Sequence, residues 1–407
     1  MKSKSQQVGL LGAISIGLAS MLGAGVFVVF GQAYQIAGQW LFVALFLAGL
    51  VAALNASSIY QLAKQVDRPG GTYSYARVYR NKTLSFVAGF AFVFGKIGSI
   101  AAIALALGAY VSPQNKQAIA IAAVVIMVTV NTLGIQRTGA VAAVLATVTT
   151  GFLIVTSVLG LASFSSATNQ QLHISTTLTQ DIAMAASVLF FAFAGYARIA
   201  TLGNEVKNSK RNIPLAIALT LSLVLVIYLA LTVVLLAFLG DDLIGAEAPF
   251  VQLFNLLHSP LSFGITIVAV LASLGSILAL LAGVSRTAAT MAEDKELPKV
   301  FEHRNRFGSP WLAELVIAVG AILLVEVGDL TAVIGFSSFS VLLYYAIAHV
   351  SALGQPKEER IIPRWLAWLG MTLCIWLALA TPGNAAEISA LIILLALVIR
   401  SALKRKR

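Results

Sequence analysis

The stretch SIGLASMLGAGVFVVFG, residues 15–31, lies within a long apolar run and is nevertheless rich in glycine. Each glycine in a helix interior costs about 1 kcal/mol relative to alanine. Gly23 and Gly25 flank a single alanine, so they weaken the same helical turn twice. The stretch therefore predicts a segment that is apolar enough to cross a membrane as a helix but is interrupted near its middle.

The composition of the whole chain indicates the same environment. Of its 407 residues, 59% are hydrophobic and only 11% are charged, and the mean hydropathy is +0.92. Soluble domains carry about 25% charged residues, so too few charges are present here to cover a water-exposed surface. Apolar stretches of roughly 20 residues, long enough to cross the hydrocarbon core as a helix, recur along the sequence.

We predict an all-α integral membrane protein with about twelve transmembrane helices, forming a single membrane domain over residues 1–407. The predicted spans, numbered 1 to 12 in chain order, are about 10–32, 39–63, 84–111, 117–135, 139–163, 182–203, 213–240, 261–285, 310–327, 330–352, 362–381 and 385–403.

The distribution of charge orients these spans. The chain carries 27 Lys and Arg against 16 Asp and Glu, a net charge of +11. With a cytoplasmic N-terminus, nearly all basic residues fall in or beside inside loops and tails, whereas Asp241, Asp242 and Glu247 lie outside. This asymmetry follows the positive-inside rule. We expect both termini in the cytoplasm and the protein in a prokaryotic inner membrane, its basic loops facing anionic lipid rather than nucleic acid.

A second glycine-interrupted span matches the first. The stretch LFFAFAGYARIATLG, residues 189–203, places Gly195 near the middle of span 6. Spans 1 and 6 are five apart, as expected if spans 1–5 and 6–10 are repeats that enter the membrane from opposite sides. Such a matched pair is the best sequence indication of a transporter binding site. We predict a first repeat at residues 10–163, a second at 182–352 and two accessory spans at 362–403.

Interrupted helices expose backbone groups that lipid cannot satisfy. The outer half of span 1 would present N–H groups and the positive end of a helix dipole, which suit a carboxylate. The outer half of span 6 would present carbonyls and the negative end, which suit an ammonium group. The two breaks together predict a site for an α-amino acid. The donors are Gly23, Ala24, Gly25 and Val26, and the acceptors are Phe191, Ala192, Phe193 and Ala194.

These features also have structural explanations. Glycine is common in membrane helices because small residues let helices pack closely. Phe193, beside the break in span 6, is either a gate or an ordinary packing residue. The single cysteine, Cys374, is interpreted as a packing residue, and the four scattered histidines form no metal or catalytic set.

Several motifs make the sequence similar to a known family, the amino acid–polyamine–organocation (APC) superfamily of permeases. GLASMLGAGVFVVFG (17–31) resembles its first-span signature, and FFAFAGY (190–196) resembles its span 6 motif. Further similarity lies in DRPGGTYSYARVY (67–79), NTLGIQRTG (131–139), EVKNSKRNIPLAI (205–217) and LASLGSILALLAGVSRTAATMAEDKELP (271–298). The matches cover residues 10 to about 310 in the family's order.

The resemblance implies a LeuT-type fold with a five-plus-five inverted repeat, alternating access, and amino acids or related amines as substrates. In the family, the residues aligning with Ser20, Gly23, Ala24 and Gly25 hold the substrate carboxylate. Those aligning with Phe191, Phe193, Ala194 and Gly195 hold the amine and form a gate. The resemblance thus places the substrate at the same two breaks as the backbone chemistry does.

Two basic residues stand out within the spans. Many family members carry an acid directly after the span 6 Gly-aromatic pair, where this chain has Ala197 followed by Arg198. A charge near mid-membrane costs at least about 2.5–3.5 kcal/mol, so Arg198 and Lys96 are functional candidates. Arg198 either contacts substrate or has a structural or gating role, in which it extends toward the inner interface or caps carbonyls of the broken helix. Its charge disfavours cationic substrates. Lys96 either links proton movement to transport or is permanently hydrogen-bonded.

Polar residues in two other spans bear on sodium coupling. Some family members place a lysine in span 5 where relatives bind sodium, and the nearest position here is Thr149. Ser273 and Ser276 in span 8 offer hydroxyls near that place. A serine in a membrane helix commonly bonds its own backbone instead, so sodium coupling is the lesser hypothesis.

The predicted function is secondary active transport of amino acids by alternating access, with neutral amino acids favoured and proton coupling or exchange as the driving process. The alternatives are a cationic amino acid or polyamine exchanger and a non-transporting sensor or accessory subunit. A membrane enzyme needs a nucleophile–base set or paired intramembrane carboxylates, and a channel needs polar rings or a filter loop. The sequence shows neither. The expected partners are a small amino acid, lipid, and a coupling proton or sodium ion, with no cofactor or metal.

Overall fold

The chain folds into helices joined by short loops. The computed structural model describes residues 9–66, 68, 70–133, 139–166, 178–195, 206–257 and 262–405. Its first helices are α1 (Leu10–Met21), α2 (Val29–Ala37), α3 (Leu41–Ala63), α4 (Thr72–Tyr79), α5 (Lys82–Val111), α6 (Lys116–Thr132), α7 (Gly139–Ala162) and α8 (Leu178–Phe193). The later helices are α9 (Ser209–Leu239), α10 (Pro249–Leu256), α11 (Ser262–Glu293), α12 (Trp311–Val327), α13 (Leu330–Leu353), α14 (Arg364–Leu379) and α15 (Ala385–Arg405).

Local sequence signals set several helix ends. The Asn81 side chain accepts from the Leu84 amide at 2.8 Å and begins α5. The Asp329 side chain accepts from the Ala332 amide at 2.6 Å and begins α13 in the same way. Asn and Asp are preferred N-cap residues because their side chains accept hydrogen bonds from the first free amides of a helix. Gly38 and Gly240 follow α2 and α9 with φ values of 51° and 49°, a conformation that glycine adopts without steric cost.

Seven helical segments in the described part of the chain are long and apolar enough to cross a membrane. They are Val29–Ala63, Lys82–Val111, Pro113–Thr132, Arg211–Leu243, Phe263–Glu293, Leu330–Leu353 and Ala385–Lys404. Shorter apolar helices cover Thr147–Ala162, Thr179–Phe193 and Arg364–Leu379. The chain is therefore a helical membrane protein, while the full number of twelve spans stays a prediction.

The helix α5 lies at the centre of the packing and positions the predicted site. It contacts α4, α6, α11, α12 and α13. The segment Ala24–Phe27, which joins α1 to α2, contacts α5, α8 and α11. Of the remaining helices near this segment, α1 packs against α7 and α9, and α8 packs against α2, α3 and α13. The interrupted part of span 1 is thus enclosed by spans 3, 6 and 8.

Ion pairs join loops at the two ends of the helices. On the predicted outer side, Lys116 Nζ lies 2.7 Å from Glu247 Oε1. On the predicted inner side, six residues form what we term the loop ion-pair cluster: Arg68, Arg77, Asp294, Glu296, Arg400 and Lys404. This cluster connects the segment after α3, helix α4, the end of α11 and the last turns of α15.

Candidate functional site

Span 1 is interrupted at the predicted glycine pair. Helix α1 ends at Met21, a 3₁₀ turn covers Ala24–Phe27, and α2 begins at Val29. The first amides of a helical turn have no acceptor within that turn. Gly23 precedes this turn and Ala24 and Gly25 begin it, so their amides are such first amides, and Val26 is fully buried one residue further along.

The first helix of span 6 ends at the matching place. Helix α8 ends at Phe193, and Ala194 and Gly195 form a turn. The Ala194 amide donates to the Phe191 carbonyl at 3.4 Å, and the Gly195 amide donates to the Phe193 carbonyl at 2.7 Å. In the described part of the span, both carbonyls therefore accept from amides of the turn.

The two breaks touch through their backbones. A Cβ built on Gly25 would lie 3.0 Å from the Ala192 Cα, and one built on Gly195 would overlap the carbonyl oxygen of Ser20. A Cβ on Gly23 would lie 2.7 Å from Ser276 Oγ of α11. At Gly195 the neighbouring atoms belong to the backbone, so no larger residue fits there unless the two spans shift apart. The structure thus brings together the predicted residues of spans 1, 6 and 8.

The two phenylalanines of the span 6 motif have different surroundings. The Phe191 ring is partly buried and lies 3.2 Å from a Cβ position on Gly25. Phe193 is fully buried, and its ring meets Tyr228 edge-on at a centroid distance of 5.1 Å. Phe191 therefore borders the break, whereas Phe193 packs behind it.

Tyr228 links the two breaks and was not identified from the sequence. This fully buried α9 residue has its hydroxyl 3.1 Å from the Ala192 carbonyl and 3.3 Å from the Met21 carbonyl. Both carbonyls lie where a helix ends, so the hydroxyl supplies a donor that the helices lack. The available sequence signal was that Tyr228 is the single tyrosine of span 7.

Aromatic side chains cover the break on its predicted outer side. Phe27 meets Tyr110 and Phe250 edge-on, each at 5.8 Å, and Phe30 meets Phe250 at 6.3 Å. The Tyr110 hydroxyl also donates to the Phe27 carbonyl at 2.9 Å. We term Phe27, Phe30, Tyr110 and Phe250 the aromatic cover. Phe250 belongs to α10, a short helix in a predicted outer loop.

The candidates for gating and coupling lie on the surrounding helices. Lys96 is 8% exposed, and no hydrogen bond or ion pair joins it to another described residue. Ser273 is buried, and Ser276 Oγ donates to the Ala272 carbonyl at 2.8 Å, within its own helix. Thr149 is buried on α7, which packs against α1 and α11. Arg198 and Ala197 lie outside the described residues.

A buried acid occurs away from the breaks, where the sequence did not single it out. Glu314 is 1% exposed in the first turn of α12 and accepts a hydrogen bond from Ser309 Oγ. With Asn131 and Ser285 it lines a small cavity of about 30 Å³. Asn131 lies on α6, Ser285 on α11, and Ser309 in the loop before α12. The buried carboxylate of Glu314 is therefore separate from spans 1 and 6.

The cysteine takes part in a buried polar network. Cys374 Sγ donates to Asn55 Oδ1 at 3.0 Å, and His349 Nε2 lies 2.7 Å from the same oxygen. His349 Nδ1 lies 2.8 Å from Ser58 Oγ. This network joins α3, α13 and α14. Within the part of the chain that the structure describes, no group of three or more His, Cys, Asp or Glu side chains is placed to hold a metal.

Comparison with known proteins identifies the family. A family model described as "Amino acid permease" matches residues 8–399. The chain is 38% identical over 396 residues to an uncharacterized transporter of Mycobacterium tuberculosis, covering 95% of this chain and 89% of the relative. It is 24% identical to the inner membrane transport protein YbaT of Escherichia coli, with 86% and 84% covered. It is 26% identical to the vacuolar cationic amino acid transporter 4 of Arabidopsis thaliana, with 84% and 61% covered. The chain belongs to the amino acid permease family.

Proposed function

We propose that the protein is a secondary active transporter that carries α-amino acids across the membrane by alternating access. The observation that carries this proposal is the contact between two helix breaks, at Gly23–Gly25 and at Phe193–Gly195, made through backbone atoms. Backbone amides on one side and carbonyls on the other match the two charged groups that every α-amino acid shares.

In this proposal the substrate carboxylate binds the amides of Gly23, Ala24 and Gly25. The positive dipole end of the following helical segment adds to these hydrogen bonds. The ammonium group binds carbonyls at the end of α8. Ala192 already accepts from Tyr228 at 3.1 Å, but a carbonyl oxygen has two lone pairs, so Tyr228 holds this acceptor in place without occupying it fully.

The packing of the helices supports the inverted repeat. Under the proposed repeat, spans 6, 7 and 10 correspond to spans 1, 2 and 5. The first half of span 1 packs against spans 7 and 5, through α9 and α7. The first half of span 6 packs against spans 2 and 10, through α3 and α13. The partners of span 1 and the partners of span 6 therefore correspond to each other under the proposed repeat. An inverted repeat predicts such matching contacts.

The aromatic cover supports a closed outer side in this conformation. Because Phe250 packs against Phe27 and Phe30, α10 must move before substrate enters from the side on which it lies. We place that side outside the cell and both termini in the cytoplasm, in a prokaryotic inner membrane. The Lys116–Glu247 ion pair joins two loops that this orientation puts on the same outer side.

Neutral amino acids are the substrates we favour. No carboxylate lies among the described residues of the breaks that would neutralise a cationic side chain, and Lys96 adds positive charge within span 3. The runner-up is exchange of cationic amino acids or polyamines, because relatives in Arabidopsis thaliana are named cationic amino acid transporters. A non-transporting sensor would keep the binding site without catalysing flux.

Lys96 is our candidate for proton coupling. It lies about four turns from Tyr110 on the same side of α5, and Tyr110 contacts the broken segment of span 1. In this proposal Lys96 takes up and releases the coupling proton during each transport cycle. Lys96→Met should therefore abolish the pH dependence of uptake. An unchanged pH dependence would instead favour exchange, or sodium binding near Thr149, Ser273 and Ser276.

The proposal is tested by flux into proteoliposomes that contain the purified protein. We expect uptake of a small set of neutral amino acids among the twenty amino acids, agmatine, putrescine and spermidine. Gly25→Val should remove this uptake, because the new side chain would crowd the Ala192 Cα and the Phe191 ring, which lie 3.0 and 3.2 Å from the Cβ position. Gly283→Val is the matched control, since a Cβ there meets nothing within 4 Å. Uptake restricted to basic compounds would favour the runner-up, and binding without flux would favour the sensor.

A further inference from the structure

A large groove lies between α6 and α12, away from the two breaks. Its volume is about 650 Å³. We define the α6–α12 groove by its apolar floor and wall, Val128, Leu133, Trp311 and Leu315, and by Arg306 and Phe307 at its mouth. Leu133, Trp311 and Leu315 are 49%, 43% and 45% exposed. In a membrane protein, such a surface faces lipid.

A preformed turn holds the mouth of the groove against α6. Asn305 Nδ2 donates to the Thr132 carbonyl at 2.6 Å, in the last turn of α6. Asn305 Oδ1 accepts from the amides of Phe307 and Ser309 at 3.0 and 3.1 Å. Gly308, with a φ of 79°, closes this turn. The turn therefore fixes Arg306 and Phe307 at the end of α6.

Arg306 provides an available positive charge at this mouth. Its guanidinium lies 4.7 Å from the centroid of the Phe307 ring. No ion pair joins it to any residue that the structure describes. Arg304, two residues earlier, instead lies 3.8 Å from Glu293 Oε1. Arg306 is thus the basic residue of this turn that is free to bind an anion.

We propose that the α6–α12 groove binds one anionic phospholipid of the leaflet on the predicted cytoplasmic side. The acyl chain lies along Val128, Leu133 and Leu315, and the phosphate binds the guanidinium of Arg306. The groove is apolar along its length and positively charged at its mouth, which is the complement of such a lipid. Basic pockets between transmembrane helices on the cytoplasmic side bind lipid headgroups for the same reason.

Native mass spectrometry of the purified protein tests this inference. The probes are phosphatidylglycerol and phosphatidylcholine with identical acyl chains, offered in equal amounts. We expect preferential retention of phosphatidylglycerol. Arg306→Gln should lower that retention roughly fivefold to tenfold, because one charge-assisted phosphate contact is lost. Lys299→Gln, an exposed basic residue of the same loop outside the groove, should leave it unchanged.

A second pair of variants tests the acyl-chain part of the groove. Leu315→Trp fills the groove and should reduce binding of both lipids, whereas Leu323→Trp, on the same helix outside the groove, should not. Equal retention of the two lipids by the unmodified protein would overturn the proposal. It would also be overturned if Arg306→Gln behaved like Lys299→Gln. Because no transport is measured, these outcomes are independent of the proposed transport function.

Discussion

The two helix breaks and the loop ion-pair cluster hold helices together in opposite ways. At the breaks, Gly25 and Gly195 let backbones meet directly, and no charged side chain takes part among the described residues. In the cluster, Glu296 has a side chain that is only 1% exposed and lies 2.6 Å from Arg400 and 2.9 Å from Lys404. Steric fit therefore determines the first region and electrostatics the second.

This difference predicts how the two regions respond to change. Backbone contacts admit no added atom, so any side chain at the breaks should affect function severely. Charge pairs tolerate partial loss, because each carboxylate of the cluster has more than one partner. Function should be lost on substitution at the breaks, whereas the cluster should tolerate single substitutions better and lose its stabilising effect only in acid.

The largest effect is expected for Gly195→Val. The new side chain would overlap the Ser20 carbonyl, so spans 1 and 6 must separate and the site must open. We expect complete loss of uptake and a destabilisation of at least about 3 kcal/mol, the upper range for overpacking. Flux and thermal unfolding measure the two effects, with Gly283→Val as control. Normal uptake by Gly195→Val would show that the breaks do not meet as described.

Tyr228→Phe should have the next largest effect. It removes the hydroxyl that lies near the Ala192 and Met21 carbonyls while keeping the ring in place. We expect a loss of about 1–3 kcal/mol in stability, the cost of a buried polar group left without its partner, and weaker substrate binding. The control is Thr232→Val, one turn away, whose hydroxyl bonds within α9. Similar results for the two variants would remove any special role of Tyr228.

In the cluster, Glu296→Gln should lower stability by about 2 kcal/mol, because it weakens charged hydrogen bonds from Arg400 and Lys404. The substrate concentration that gives half-maximal uptake should stay unchanged, since the cluster does not touch the breaks. Glu293→Gln is the matched control: its carboxylate is 52% exposed and 3.8 Å from Arg304, so an effect below about 1 kcal/mol is expected. Equal destabilisation by both variants would contradict the assigned role of Glu296.

The smallest expected effect is the change in protein stability that the cluster causes when the pH varies near neutrality. Burial raises the pKa of Asp294, but hydrogen bonds from Tyr73 and Arg68 and the charges of Arg77 and Arg68 bring it below its usual value. The pKa of Glu296 is also below its usual value. Burial raises it, but hydrogen bonds from Arg400 and Lys404 and the charges of these residues lower it by more. A carboxyl group whose pKa is lowered by folding stabilises the protein at pH values above its pKa in the unfolded state. This stabilisation is lost as the pH falls through the pKa of the folded state.

Thermal unfolding between pH 7 and pH 3 measures this contribution. Stability should be flat near neutrality and fall once pH drops below about 4, the unfolded range of carboxylates. Glu296→Gln should make that decline shallower. An identical decline in the variant and the unmodified protein would show that titrating groups other than Glu296 cause the loss of stability.

The position of the breaks was predictable because its cause is local. Two glycines within three residues weaken one turn wherever the segment lies, and α1 ends at Met21, two residues before Gly23. The link through Tyr228 was not predictable, since Ala192 and Tyr228 are far apart in sequence and meet only after spans 6 and 7 pack. The aromatic cover, the burial of Glu314 and the loop ion-pair cluster likewise depend on contacts between distant segments.

Competition between an amino acid and its single-group analogues measures the recognition chemistry most directly. The amino acid that most stabilises the purified protein is compared with its decarboxylated amine and its N-acetyl derivative, by binding affinity. Recognition by both breaks predicts that each analogue binds roughly tenfold to a hundredfold more weakly, because each lacks one set of charged hydrogen bonds. An amine that binds as tightly as the parent amino acid would contradict a carboxylate site at Gly23–Gly25.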